Sequence, residues 1–307
     1  MNKVNIPNLK NLYVLLFFAL LSTLLISKQR ILQLSILSSI KLCLNTIIPA
    51  IFPFMILSDY FVCNIQMHNI RSGKIILLFE KMFNIERAGF IPFLVGNICG
   101  FPIGSRLALQ LQDSKYISKE ECETLIPISS NPSLAFVVSG VGAGMRGSVS
   151  DGIILYFSVL VSTILSGIIW REKRSASKLH SFYTNKSFSA VDSIKNAAFT
   201  SIIISSYIIF FSMVIDLIKS FNILNISVIT LASILEIGNA TNLISTAKLP
   251  ANLSLPLTAF SLGFSGISVY MQTKALNNNI TFYNYLKVKL TEGLFAFVIT
   301  YSMMLIF

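Results

Sequence analysis

The sequence predicts an all-α polytopic membrane protein. Of its 307 residues, 54% are hydrophobic and only 12% are charged, against about 25% charged in a typical soluble domain. Mean hydropathy is +0.73, and several uncharged runs approach the length of about 20 residues that a membrane-crossing helix needs. The stretches between them leave no room for a sizeable soluble domain, so residues 1–307 are interpreted as a single transmembrane domain.

Apolar runs follow one another along the chain and are the candidate helices. They cover residues 11–27, 42–58, 88–105, 124–145, 152–170, 196–215, 220–235, 249–273 and 293–307. Residues 64–87 mix charged and apolar side chains, which is typical of a helix lying in the membrane interface. Ser118 and Glu121 have the spacing of a capping box, which predicts a helix start there. The last run is entered from Lys287 and Lys289, which we interpret as charges flanking the membrane.

One of these runs contains residues that interrupt a transmembrane helix. Residues 96–106 read GNICGFPIGSR and hold three glycines and a proline within nine positions. Glycine permits backbone conformations outside the helix, and proline removes a donor and clashes with the preceding turn. In hydrocarbon, the backbone groups freed in this way are tolerated only where protein or a wet cavity surrounds them. The stretch therefore predicts a broken or re-entrant helix at a functional site.

The second half of the chain repeats this pattern at a nearly constant distance. The residues GFPIGS from Gly100 are matched by GFSGIS from Gly263, and later matches also lie 162 or 163 positions apart. We therefore divide the chain into a first half, 33–170, a basic loop, 171–195, and a second half, 196–307. Matching Gly- and Pro-interrupted segments predict an inverted repeat with two re-entrant or broken helical hairpins. The alternative is that these glycines only let helices pack closely.

The charge distribution predicts orientation and surroundings. Net charge is +11, which in a soluble protein would indicate nucleic acid as a binding partner. In so apolar a chain, basic loops instead set topology and touch anionic lipid headgroups, so we expect a lipid bilayer and no nucleic acid. The loop 171–195 carries six basic residues against two acidic ones and is predicted to be cytoplasmic, together with 113–123. An inverted repeat then requires residues 276–286 to lie on the side of the membrane opposite the cytoplasm. Residues 220–246 must in that case not cross the membrane fully.

Several motifs, taken in order, resemble those of a known family. They are Phe52-Pro53-Phe54, residues 100–106 (GFPIGSR), Ser130-Asn131-Pro132-Ser133, and residues 263–269 (GFSGISV) with Gln272. Over most of the chain, about residues 35–300, the sequence resembles the sporulation integral membrane proteins of the nucleoside-recognition gate superfamily. The resemblance implies a multi-pass protein of the outer forespore membrane that moves dipicolinic acid from the mother cell into the developing spore.

Three motifs depart from the pattern of that family. Arg106 stands where the family usually has lysine, and Ser130-Asn131-Pro132-Ser133 replaces a Cys-Asn-x-Ser-Gly-Pro motif. In the acidic motif, Glu236 is followed by Ile237 and Gly238 rather than by threonine and glycine. These departures leave two alternatives open. One is a gate-family transporter of nucleosides or other small molecules, and the other is a sporulation scaffold that recruits proteins and transports nothing.

The candidate solute-binding residues lie on the interrupted segments. They are Asn97, Gly100, Gly104, Ser105, Arg106, Ser130, Asn131, Ser133, Gly263, Ser265, Gly266, Ser268 and Gln272. The resemblance implies a planar dicarboxylate, and the N termini of broken helices favour anions. Arg106 can add a fork that matches a carboxylate, unless it only reaches the membrane interface. Glu236 is the candidate for binding a coupling ion or proton, unless it lies at a helix end in water.

The sequence contains no arrangement typical of an enzyme. No histidine lies in an apolar run, and Ser130 or Ser133 as a nucleophile would lack a base. The four cysteines have no metal-ligand spacing. We therefore expect a transporter of a small anionic solute without catalytic residues, cofactor or metal, and the sequence is compatible with a monomer or a homo-oligomer.

Overall fold

The computed structural model describes residues 9–64, 73–172, 189–221, 225–247, 249–276 and 281–306. Within these ranges the chain is helical and contains no β-strand. Four of the described helices are long and apolar enough to cross a membrane, or five if the bent pair Phe18–Ser27 and Gln29–Asn45 is one span. The predicted class, an all-α polytopic membrane protein, is confirmed.

The helices are numbered in chain order. They are α1 (Leu9–Ser27), α2 (Gln29–Leu42), α3 (Ile48–Asn64), α4 (Lys74–Phe83), α5 (Phe90–Cys99), α6 (Ile103–Asp113), α7 (Lys119–Ile128), α8 (Val149–Ile169), α9 (Ala190–Lys219), α10 (Asn225–Leu235), α11 (Ile237–Thr246), α12 (Ala251–Phe264), α13 (Gly266–Leu276) and α14 (Phe282–Ile306). π-Helical segments, Cys43–Ile47 and Phe136–Met145, precede α3 and α8. The predicted capping box opens α7, because the N–H groups of Ser118 and Glu121 are each accepted by the other residue's side chain.

Helices α5 and α6 fold back on each other and form a hairpin, hairpin 1. Its turn begins at Gly100, whose φ of +88° lies in a region that glycine adopts without strain. A Cβ added to Gly104 would come within 2.5 Å of Cα of Gly96 and 2.2 Å of the carbonyl oxygen of Ser129. The predicted helix break is therefore present, and its glycines allow the two arms and the neighbouring chain to approach closely.

Helices α10 and α11 form a second hairpin, hairpin 2, whose turn is the single residue Glu236. The two helices pack against each other, and Ala232 and Ala240 share a small core cluster with Ile215 of α9. With 11 and 10 residues, each helix is shorter than the roughly 20 residues of a crossing helix. Neither helix alone is long enough to cross a membrane, and the expectation that 220–246 does not cross fully stays a prediction.

Two further helices are interrupted midway. After α7 the chain is non-helical at 130–133 and then continues through the π-helical segment that ends at Met145; we name 119–145 broken helix 1. Helices α12 and α13 are separated only by Ser265, and we name 251–276 broken helix 2. Ser265 and Gly266 have φ values of +66° and +80°, so the helical conformation is lost there.

Both halves of the chain show the same order of elements. A hairpin is followed by a broken helix and then by a long helix, which is α8 in the first half and α14 in the second. Helices α8 and α14 pack against each other, and each also packs against the broken helix of the other half. This order pairs the turn at Gly100 with Glu236, whereas the sequence match pairs Gly100 with Gly263. Small residues occur at both kinds of break, so a match of small residues does not distinguish a hairpin turn from a broken helix.

Two predicted segments lie only partly within the described residues. The basic loop at 171–195 includes 173–188, which the structure does not describe, and α9 already begins at Ala190. The predicted interfacial stretch at 64–87 contains the ten-residue α4 and includes 65–72, which are also outside the described residues. The orientation of the basic loop, the boundaries of the two halves and their inverted relation stay predictions.

Candidate functional site

The turns of both hairpins, the interruption of broken helix 1 and Gln272 of broken helix 2 meet at one cavity, which we name the central cavity. Its volume is about 410 Å³. It is lined by Leu42, Ile47, Cys99, Gly100, Phe101, Pro132, Ser133, Ala135, Phe136, Ser139, Gly140, Met145, Ile204, Ile208, Glu236, Ile237, Gly238 and Gln272. Most of these residues are apolar, with polar side chains only at Ser133, Ser139, Glu236 and Gln272. Apolar walls with a few convergent polar groups are typical of a site for a small organic molecule.

Each hairpin turn contacts the interruption of the broken helix that follows it. In the first half, the backbone N–H of Phe101 donates to the carbonyl oxygen of Asn131 at 2.8 Å. In the second half, a Cβ added to Gly266 would come within 3.2 Å of the backbone nitrogen of Glu236. The polar backbone groups freed by the breaks are thus brought together inside the bundle, where protein and the cavity surround them.

Glu236 contributes the one carboxylate of the cavity lining, although only 4% of the residue is exposed. Its Oε1 accepts the backbone N–H of Gly238 at 2.8 Å. Its Oε2 accepts the backbone N–H and the side-chain Nδ2 of Asn239 at 2.7 and 2.8 Å. Glu236 therefore lies at the N terminus of α11, as one of the two expectations had it, but it is buried rather than in water.

Gln272 of α13 also lines the cavity and is 2% exposed. Its Nε2 donates to Oγ of Ser268 at 3.1 Å. Its Oε1 is buried and has no hydrogen-bond partner among the described residues. An unsatisfied buried acceptor costs roughly 1–3 kcal/mol, and a donor on a bound solute would supply the missing partner.

The predicted site residues divide into two groups. Those that line the central cavity are Gly100, Ser133 and Gln272, together with the coupling-ion candidate Glu236. Those outside its lining are Asn97, Gly104, Ser105, Arg106, Ser130, Asn131, Gly263, Ser265, Gly266 and Ser268. Ser105 and Ser130 hydrogen-bond each other in the interior, and a Cβ added to Gly263 would come within 3.1 Å of Cα of Gly293 on α14. Solute contact at any of these residues stays a prediction.

Arg106 lies on α6, outside the cavity lining. Its Nη2 donates to Oδ2 of Asp59 on α3 at 3.0 Å, and the two side chains are only 13% and 9% exposed. Nη1 of Arg106 and Oδ1 of Asp59 are buried without a hydrogen-bond partner among the described residues. The guanidinium therefore joins hairpin 1 to α3, an arrangement that was not among the alternatives considered from the sequence.

A buried ion pair on α14 was missed by the sequence interpretation. Lys289 and Glu292 are both 0% exposed, and Nζ of Lys289 donates to Oε2 of Glu292 at 3.1 Å. We interpreted Lys289 as a charge flanking a helix that begins at Gly293, whereas α14 begins at Phe282 and carries both charges into the bundle. The available signal was the three-residue spacing of opposite charges, which places them on one helix face.

The ion pair is connected to the interruption of broken helix 1. Lys289 Nζ also donates to Oδ1 of Asn131. The Nδ2 group of Asn131 donates to Oδ1 of Asn97 and to Oγ1 of Thr163, both at 2.8 Å. Oγ1 of Thr163 in turn lies 2.7 Å from Oε1 of Glu292. Helix α14 of the second half therefore fixes the interrupted segment of the first half, to which hairpin 1 is bonded.

The described residues contain no group of three or more His, Cys, Asp or Glu side chains that could hold a metal ion. Cys43, Cys99 and Cys122 are free thiols, and Cys99 lines the cavity. The hydroxyl, amide and carboxylate groups of the central cavity are instead suited to hydrogen bonds with an organic solute.

In comparison with known proteins, the chain is similar in sequence to a membrane protein of sporulation. No protein-family pattern matches the sequence, and no solved structure matches the chain. The chain is 21% identical over 341 residues to the sporulation integral membrane protein YlbJ of Bacillus subtilis (strain 168), a similarity that covers 96% of this chain and 83% of YlbJ. Together with its apolar helices, this similarity supports a multi-pass membrane protein. Along nearly its whole length, the chain is therefore similar to an integral membrane protein of sporulation.

Proposed function

We propose that the protein is a membrane transporter that moves a small anionic solute, dipicolinic acid, during sporulation. The observation that carries this proposal is the central cavity of about 410 Å³, on which two hairpin turns and two broken helices converge. Interrupted backbone within a membrane is tolerated where it surrounds such a cavity. Transporters built from two repeats bind their solutes at broken helices of this kind.

The size and lining of the cavity suit a small aromatic solute. Sites for small molecules usually enclose about 300–1,000 Å³, and the central cavity falls at the lower end of that range. Phe101 and Phe136 offer aromatic side chains for contact with a planar ring, and Ser133, Ser139 and Gln272 offer hydrogen bonds. A single planar ring with polar substituents, such as pyridine dicarboxylic acid, matches this combination.

The biological setting is supported by the relative. Similarity to the sporulation protein YlbJ extends over almost the whole chain, and dipicolinic acid is the solute that the family resemblance implies. The membrane proposed is accordingly the outer forespore membrane, with transport from mother cell to spore. A scaffold would have no use for a solute-sized cavity on which two hairpin turns and two broken helices converge, and this favours transport over the scaffold alternative.

Uptake by liposomes that contain the purified protein tests the proposal. We expect saturable uptake of labelled dipicolinate, well above the rate of protein-free liposomes made from the same lipid. Excess uridine or adenosine should not compete; competition by either would favour the nucleoside alternative. Uptake that does not exceed that of protein-free liposomes for any of these solutes would contradict transport and favour the scaffold.

A further inference from the structure

The central cavity offers no cation to a bare dianion among its described lining residues. Its lining contains the Glu236 carboxylate but no lysine, arginine or histidine side chain among the described residues. Arg106 lies outside the lining and is paired with Asp59, and Lys289 lies outside it and is paired with Glu292. An anionic solute in the cavity would therefore face an acidic side chain without a compensating cation, at an effective dielectric constant well below that of water.

The hydrogen bonds of Glu236 favour its ionised form. All three groups that bond its oxygens are N–H donors, two of them backbone groups at the N terminus of α11. A helix N terminus and N–H donors both stabilise a carboxylate. Its burial opposes ionisation, so what the turn of hairpin 2 places at the cavity is an acidic group rather than a permanent charge.

The other charged groups on the described elements around Glu236 are not bonded to it, and Lys41 of α2 and Lys195 of α9 are exposed. Helices α10, α11 and α12 carry no other charged residue. On α9, Lys219 bonds Asp216 at 2.9 Å, and after the π-helical segment Arg146 bonds Asp151 at 2.9 Å. On α13, Nζ of Lys274 lies 5.9 Å from the ring centroid of Tyr270. None of these cations is bonded to the Glu236 carboxylate.

Gln272 places an unpartnered hydrogen-bond acceptor at the same cavity. Its Oε1 is buried at the cavity without a donor from the described residues. Carbonyl oxygens of this kind bind O–H or N–H groups, and a fully ionised carboxylate offers neither. The cavity thus presents an amide acceptor and a carboxylate to the solute, a combination that selects hydrogen-bond donors.

We infer that the central cavity takes its solute in a protonated form, whose acidic O–H or ring N–H donates to Oε1 of Gln272. The inference rests on the proposed function and deepens it. The solute acquires its proton on the side from which it enters, carries it through the cavity, and releases it by O–H or N–H dissociation on the other side. The lining offers the dianion no cation among the described residues and places the Glu236 carboxyl group beside it, so the unprotonated dianion is excluded. Transport of dipicolinate is therefore coupled to movement of at least one proton in the same direction.

Proton coupling can be measured in sodium-free proteoliposomes. An acidic exterior should accelerate uptake of labelled dipicolinate several-fold, a protonophore should abolish that acceleration, and the exterior should become more alkaline as solute enters. Gln272→Met should lower uptake at limiting dipicolinate about tenfold, the effect expected for one lost hydrogen bond. Gln110→Met is the matched control, because Gln110 also has a buried, unpartnered Oε1 but lies outside the cavity lining. Thermal melting in detergent checks that both variants are folded.

Glu236→Gln provides an independent measurement. It replaces the acidic group of the described lining by a neutral amide, so the unprotonated anion should enter, and uptake should lose most of its dependence on an acidic exterior. Dipicolinate uptake without any proton movement, equal in Gln272→Met and wild type, would overturn this inference and leave the proposed function intact. Absence of dipicolinate uptake by the wild-type protein would overturn both.

Discussion

Lys289→Met should destabilise the protein by about 3–5 kcal/mol, the usual cost of removing one partner of a buried ion pair. The substitution leaves the Glu292 carboxylate, which is 0% exposed, without its countercharge in the interior of a membrane protein. It also removes the donor to Asn131, at the interruption to which hairpin 1 is bonded. The expected result is a large loss of protein from isolated membranes and a lower melting temperature in detergent.

Lys287→Met is the matched control for this change. Lys287 lies two positions away on the same helix, but its Nζ is 4.0 Å from a half-exposed Glu172 carboxylate and 5.0 Å from the ring centroid of Trp170. Loss of such partly solvated contacts costs about 1 kcal/mol or less. The double variant Lys289→Met Glu292→Leu should recover much of the stability, because it removes both charges. Equal abundance and melting temperature of the two single variants would show that the buried pair is not structurally important.

Gly104→Ala should have the second largest effect. The new Cβ would lie 2.2 Å from the carbonyl oxygen of Ser129 and 2.5 Å from Cα of Gly96. Both are backbone atoms, so the clash cannot be relieved by rotating a side chain, and hairpin 1 must move away from broken helix 1. Overpacking of this kind costs about 1–3 kcal/mol, and we expect the upper end of that range. The variant should melt at a lower temperature and lose transport.

Gly140→Ala is the corresponding control for stability. Gly140 also lies in an interrupted segment, but a Cβ there would first meet the ring of Phe136 at 3.5 Å, which is ordinary van der Waals contact. Its melting temperature should therefore stay close to that of wild type. If the Gly104→Ala protein has the same melting temperature as wild type, hairpin 1 and broken helix 1 are not packed as closely as described.

The backbone features of this fold were the part most accessible from the sequence. Glycine and proline act through local sterics, so the break at Gly100 and the capping box at Ser118 could be located without knowledge of their surroundings. The role of Glu236 as the turn of hairpin 2 could not be predicted in this way, because its helix break contains no proline and only one nearby glycine, Gly238. There the interruption is made by a carboxylate that accepts the N–H groups of the next helix.

The side-chain contacts were less accessible, because they depend on which helices become neighbours. Asn97 and Asn131 were selected as solute ligands, yet the structure bonds them to each other. Asn131 is also bonded to an ion pair contributed by α14, about 160 positions further along the chain. Arg106 was selected for its charge, and its partner Asp59 lies on a helix of the same half. The spacing of Lys289 and Glu292 places both charges on one helix face, but only the packing of the helices shows that the pair is buried and not at the membrane edge.

Blocking the central cavity tests most directly whether the solute passes through it. Gly140→Trp places an indole ring at a position that lines the cavity. A Cβ at Gly140 meets only side-chain atoms of Phe136, so the indole should fill part of the roughly 410 Å³ without unfolding the helix bundle. Dipicolinate uptake should be measured in liposomes that contain equal amounts of folded wild-type and variant protein. We predict that the variant loses almost all saturable uptake. Undiminished saturable uptake by Gly140→Trp would contradict the assignment of this cavity as the transport site.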